Sequence, residues 1–88
     1  MITENVTVQN KLGMHARPAS LFVQTASRFE SEVLVSKDGT EVNGKSVMGM
    51  MMLAAEQGST VRITAKGKDE AEALAALKAL FERKFDED

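Results

Sequence analysis

The sequence holds one histidine, His15, in the stretch Leu12-Gly13-Met14-His15-Ala16-Arg17-Pro18-Ala19-Ser20, and it holds no cysteine. Thiol catalysis and metal sites built from thiolates or paired imidazoles are therefore excluded. What remains is the chemistry of one imidazole, whose ring-nitrogen lone pair can attack an electrophile such as a phosphoryl group. Arg17, two residues on, offers a planar and permanently charged fork that matches phosphoryl oxygens in the transition state and in the product. No aspartate or glutamate lies in this stretch to orient the ring as in a hydrolytic triad, and no serine nucleophile with a second base is visible. The pattern describes a group carrier without turnover of its own.

A carrier histidine needs a place for the anion it accepts. From about residue 16, Ala19, Phe22, Val23 and Ala26 fall at i, i+3, i+4 and i+7, the apolar stripe of a helix. Pro18 then sits in the first turn, where its missing N–H costs nothing. A helix starting there aims the free N–H groups of Ala16 and Arg17, and the positive end of its dipole, at the loop carrying His15.

The remaining elements follow from period and punctuation. Residues 2 to 9 alternate, with Ile2, Val6 and Val8 on one face, as a half-buried strand does. Glu32 to Lys37 and Thr40 to Asn43 are strand-like runs joined by Asp38-Gly39, a pair suited to a tight antiparallel hairpin. Ser46 stands as an N-cap before the apolar run Val47 to Ala55, which Gly58 closes. Thr60 to Ala65 alternates again, and Asp69-Glu70-Ala71-Glu72 offers a capping-box-like start to a final helix that buries Leu74, Leu77 and Phe81. The order β-α-β-β-α-β-α predicts an α+β fold, an open-faced β-sandwich in which a four-stranded antiparallel sheet carries three helices on one face. Residues 1–88 are expected to form a single domain.

Composition narrows the function further. Apolar residues at 43% and charged residues at 27% describe a folded, water-soluble chain. A net charge of −2, without tyrosine or tryptophan, leaves neither the basic surface nor the stacking platforms that nucleic acid requires. The longest apolar stretch, VMGMMMLAA, is too short to span a membrane, and the N-terminus shows no signal-like segment. A cytoplasmic monomer that uses no cofactor and no metal is expected.

Residues Gly39 to Ser46 match the P-loop pattern G-x-x-x-x-G-K-[ST] letter for letter. Three features oppose nucleotide binding there. Asp38-Gly39 reads as a hairpin turn, Glu41 would set a carboxylate against the phosphates, and no later apolar strand ends in a magnesium-binding aspartate. A phosphate on Ser46 itself, by contrast, would lie at a helix N-terminus that stabilises it. Along the following helix Met50 and Leu53 are the expected core pair, while Val47, Met48 and Met51 form a soft exposed patch suited to several partners. Ser20 and Gln24 on the first helix are assigned to the same partner surface.

The segment Gly13-Met14-His15-Ala16-Arg17-Pro18-Ala19 resembles the active-site signature of the HPr family, the histidine phosphocarriers of the bacterial phosphoenolpyruvate:sugar phosphotransferase system. Only Met14 departs from it, where leucine is usual. Lys45-Ser46-Val47-Met48-Gly49-Met50-Met51-Met52-Leu53-Ala54 resembles the family's regulatory-serine segment, and the likeness runs over essentially the whole chain. It implies that Nδ1 of His15 accepts phosphate from Enzyme I and passes it to Enzyme IIA domains. It also implies modification of Ser46 by a kinase/phosphorylase in some bacteria, and in some lineages recruitment of a transcriptional regulator. A nitrogen-branch regulatory paralogue shares this chemistry, but the GKS segment looks more like the sugar branch.

Overall fold

A computed structural model describes residues 1–87. Its elements are β1 (Ile2–Thr7), α1 (Ala16–Ala26), β2 (Glu32–Lys37), β3 (Thr40–Asn43), α2 (Val47–Met52), β4 (Thr60–Lys66) and α3 (Glu70–Glu82), followed by a short 3-10 turn, Lys84–Asp86. The four strands form one antiparallel sheet in the order β1-β4-β2-β3. β4 thus enters between strands that the chain laid down earlier, with Val6 opposite Val61 and Val35 opposite Ile63. The alternation read from the sequence sends Val6, Val33, Val35, Val61, Ile63 and Ala65 into the core, where three helices cover one face of the sheet. On the open face Thr3 and Thr64 share a hydrogen bond of 3.1 Å across the β1–β4 pair.

The helices seal the core through a short aromatic chain. Phe22 of α1 meets Phe81 of α3 edge to face at 6.1 Å, and Phe81 meets Phe85 at 4.8 Å. Phe85 lies beyond α3 and is nonetheless buried. It reaches the core because Lys84, Phe85 and Asp86 all take left-handed backbone angles, with φ of 55°, 54° and 59°. For residues with side chains that conformation costs roughly 1–2 kcal/mol each, a cost that burying one aromatic ring, worth about 1.5–3 kcal/mol, offsets in part.

Two local expectations are corrected. β1 is shorter than residues 2 to 9, although Val8 continues its bonding through Ser59 O and Gly58 N–H, both at 2.8 Å. The start of α3 carries no capping box, because the Asp69 carboxylate makes no bond to its own helix. It accepts instead from the Glu30 and Ser31 amides, each at 2.9 Å, and from the Ser31 hydroxyl. The loop after α1 is thereby tied to the start of α3. Ser31 is buried, so its donors require that acceptor.

These bonds, the Ser31 hydroxyl first, hold the Asp69 carboxyl below its ordinary 3.8. A depressed folded-state value gives stability that is fully present above the unfolded value, about 3.9, and lost as pH falls through the folded one. Asp69→Asn should therefore lower the urea midpoint at pH 7, and the gap to the parent should close on acidification from about pH 5 to about pH 2. A gap that stays constant with pH would assign the loss to packing instead.

Candidate functional site

His15 is the N-cap residue of α1, extended at φ −93° and ψ −171°, and its side chain makes no capping bond. The first turn is therefore open. Ala19 N–H already bonds to His15 O at 3.0 Å, and His15 N–H bonds back to Gly13 O at 3.1 Å. Pro18 has no N–H, so the amides of Ala16 and Arg17 are the two that a bound anion can use. Ala16 and Arg17 are exposed, and the His15 side chain is 34% exposed. Among the described residues, imidazole, guanidinium and two unspent amides thus share one open surface.

The loop before α1 is held by the far side of the molecule. Met14 N–H donates to Ala55 O at 2.8 Å, and Met14 is itself buried. Gly13 has φ +70°, and a Cβ there would stand 2.5 Å from Ala55 O. No side chain fits that approach, which gives the glycine of the motif a steric reason.

That contact also explains why α2 is shorter than the sequence suggests. The helix stops at Met52, and Ala54 turns left-handed at φ 52°. Leu53 and Ala55 are buried, with Ala55 serving the histidine loop. A helix continued through Ala55 would set that carbonyl along the helix axis instead of toward the Met14 amide.

A surface cavity beside His15 is lined by Lys11, Leu12, His15, Ala16, Arg17 and Glu87. Glu87 is the residue that sequence reasoning missed. Glu87 belongs to the acidic tail Asp86-Glu87-Asp88, yet it is only 16% exposed in its side chain, and its Oε1 accepts from His15 Nε2 at 3.0 Å. A carboxylate does face the imidazole, supplied from 72 residues away. The His15 bond first, with help from Asn10 and the charge of Arg17, holds the Glu87 carboxyl below its ordinary 4.5. Its charge is therefore retained at neutral pH. The one available signal was Phe85, spaced four residues from Phe81, which extends the buried stripe past the end of α3. Asp88, the last residue of that tail, lies outside the described residues.

The other assigned residues fall on neighbouring surfaces. Ser20 and Gln24 line a second groove with Ala16, Arg17 and Asp86, and the Gln24 amide donates to Ser20 Oγ at 3.3 Å. Ser46 caps α2, its Oγ accepting from Gly49 N–H at 3.0 Å. Met50 and Leu53 are core, whereas Val47, Met48 and Met51 are exposed on α2, which packs against α1. Met52 and Leu12, which were not assigned, are exposed as well. The P-loop pattern is broken physically: Gly39 lies in the hairpin turn, Thr40–Asn43 is a strand, and Lys45 Nζ donates to Phe29 O at 2.8 Å. No phosphate cradle can form from those residues.

A family model described as the PTS HPr component phosphorylation site matches residues 2–83. The chain belongs to the HPr family. It is 50% identical over 88 residues to the phosphocarrier protein HPr of Xylella fastidiosa, covering 100% of this chain and 99% of that one. Its fold superposes on the crystal structure of HPr-C-His from Thermoanaerobacter tengcongensis with a TM-score of 0.96 and 51% identity, covering 100% and 99% of the two chains. The catabolite-repression relative Crh of Bacillus subtilis, solved as a swapped dimer, gives a TM-score of 0.77 at 49% identity, with coverage of 96% and 97%. Membership in the HPr family makes the chain a phosphocarrier of the phosphotransferase system. Among the described residues, no helix is long and apolar enough to cross a membrane.

Gly13→Ala tests the steric reading of the loop. Strain at φ +70° and the clash with Ala55 O should together cost about 2–4 kcal/mol of unfolding free energy, measured by urea titration. A stability loss below about 0.5 kcal/mol would show that the loop relaxes freely.

Proposed function

We propose that this HPr-family protein accepts a phosphoryl group on His15 from phosphorylated Enzyme I, the phosphate originating in phosphoenolpyruvate, and hands it to Enzyme IIA domains for sugar uptake. The observation that carries this reading is the N-terminus of α1, where the half-buried imidazole of His15 stands beside Arg17 and two amides that are free among the described residues. The amides and the helix dipole stabilise the incoming charge, and the guanidinium neutralises it as the phosphorus–nitrogen bond forms. The chain acts stoichiometrically, as a cytoplasmic monomer with residues 1–88 as one domain. A monomer suffices because His15 and Arg17 belong to one chain.

Incubation with phosphoenolpyruvate and Enzyme I should add one acid-labile phosphate, read by intact mass, and His15→Ala should abolish it. Arg17→Ala should slow the transfer by about a hundredfold, as the loss of a charge-stabilising donor does. A phosphate that survives acid, or survives His15→Ala, would refute the assignment.

Ser46 is proposed as the regulatory site, addressed by a kinase/phosphorylase and, once phosphorylated, offering a surface to a transcriptional regulator. Its hydroxyl is already the α2 cap, so phosphate there gains from the same amides while placing negative charge beside exposed Val47, Met48 and Met51. Ser46→Asp should lower the rate of phosphorylation by Enzyme I with the fold intact by circular dichroism; unchanged kinetics would remove the electrostatic account. Met48→Asp should likewise leave the fold intact, since that side chain is 71% exposed, and weaken Enzyme I transfer.

A further inference from the structure

Asn10 is fully buried, an unusual place for an amide, and its environment leaves it one orientation. Nδ2 donates to Gly13 O at 2.7 Å and to Glu87 Oε1 at 2.8 Å. Both partners are acceptors, so a flipped amide would set oxygen against oxygen twice. Both N–H groups are spent in this way, while Oδ1 has no hydrogen-bond partner among the described residues. The buried amide thus clamps two things together, the glycine of the histidine loop and the Glu87 carboxylate.

Glu87 Oε1 takes a second bond from His15 Nε2 at 3.0 Å. A charged carboxylate only accepts, so this bond requires the proton on Nε2 and, in the neutral ring, leaves the Nδ1 lone pair free. We propose that Glu87, aimed by Asn10, is a positioning residue that holds His15 as the Nε2–H tautomer and so presents Nδ1 to the phosphoryl group. This inference rests on the reading of His15 as the acceptor.

The step balances without moving a proton. The Nδ1 lone pair forms the new bond to phosphorus as the bond to the donor breaks, and that electron pair leaves with the donor. Nε2 keeps its hydrogen throughout, and the positive charge gained by the ring faces the Glu87 carboxylate. On transfer to the next acceptor the Nδ1–phosphorus bond breaks and the neutral Nε2–H ring is restored. The charged groups around His15 are Glu87 from the C-terminal turn, Lys11 from the loop before α1, and Arg17 from α1. Glu87 is the one of the three bonded to the ring. The left-handed turn of residues 84–86 and the buried Phe85 carry it there.

Glu87→Gln removes the charge with little change of shape, and Asp86→Asn removes an equal charge from the same turn without touching His15. Long-range nitrogen–proton correlation on labelled protein at pH 8 reports the tautomer directly and needs no Enzyme I. The Nε2–H form should dominate in the parent and in Asp86→Asn, and Glu87→Gln should shift the population toward Nδ1–H. The maximal phosphorylation rate with Enzyme I should fall about tenfold in Glu87→Gln, with the concentration for half-maximal rate changed less than twofold. An unchanged tautomer in Glu87→Gln, or an equal shift in Asp86→Asn, overturns the proposal. If Enzyme I labels no variant and not the parent either, the carrier reading fails while the tautomer result still decides the role of Glu87.

Discussion

The amides that open α1 are fixed in space and yet, among the described residues, left unpaired, and much of the structure holds them so. Ordinary helices order such amides with a capping serine or aspartate. Here the capping place is occupied by an imidazole that points elsewhere, and order has to come from outside the helix. It comes from the Met14–Ala55 bond, the close seat of Gly13 and the buried Asn10 amide, three restraints on one four-residue loop. Two of the three come from Ala55, beyond α2, so the site exists only once the segment between α2 and β4 has packed against the histidine loop.

The same economy is visible in the second helix. α2 has six residues because the segment after it is needed elsewhere: Leu53 fills the core and Ala55 supports the histidine loop. A helix so short gains little from its own hydrogen bonds and depends on its cap and on Met50 for its place. Ser46 is therefore both the structural hold on α2 and a group whose modification changes that surface.

Much of this was legible in the amino-acid order, and the parts that were not share a cause. Period-2 and period-3.6 patterns depend on near neighbours, which is why the strands around Val33 and Ile63, the Asp38-Gly39 turn and the helix bearing His15, Arg17 and Phe22 could be read directly. The Ser31–Asp69 tie, the early end of α2 and the Glu87–His15 contact join residues 38, 41 and 72 positions apart for the pairs Asp69 with Ser31, Ala55 with Met14 and Glu87 with His15. No local pattern encodes such distances, and in each case a tertiary partner outbid the local preference. Glu87 shows this most clearly, since an acidic residue after a helix reads as solvated unless Phe85 is known to be buried.

The methionines divide along the same line between inside and outside. Met14 and Met50 are sealed in the core, while Met48, Met51 and Met52 present their thioethers to solvent. A mild oxidant reaches the exposed sulfurs first and turns each into a polar, chiral sulfoxide. The surface beside Ser46 would lose its apolar character while the core and the imidazole loop kept theirs, so oxidation would alter this outer face and spare the packing beneath it.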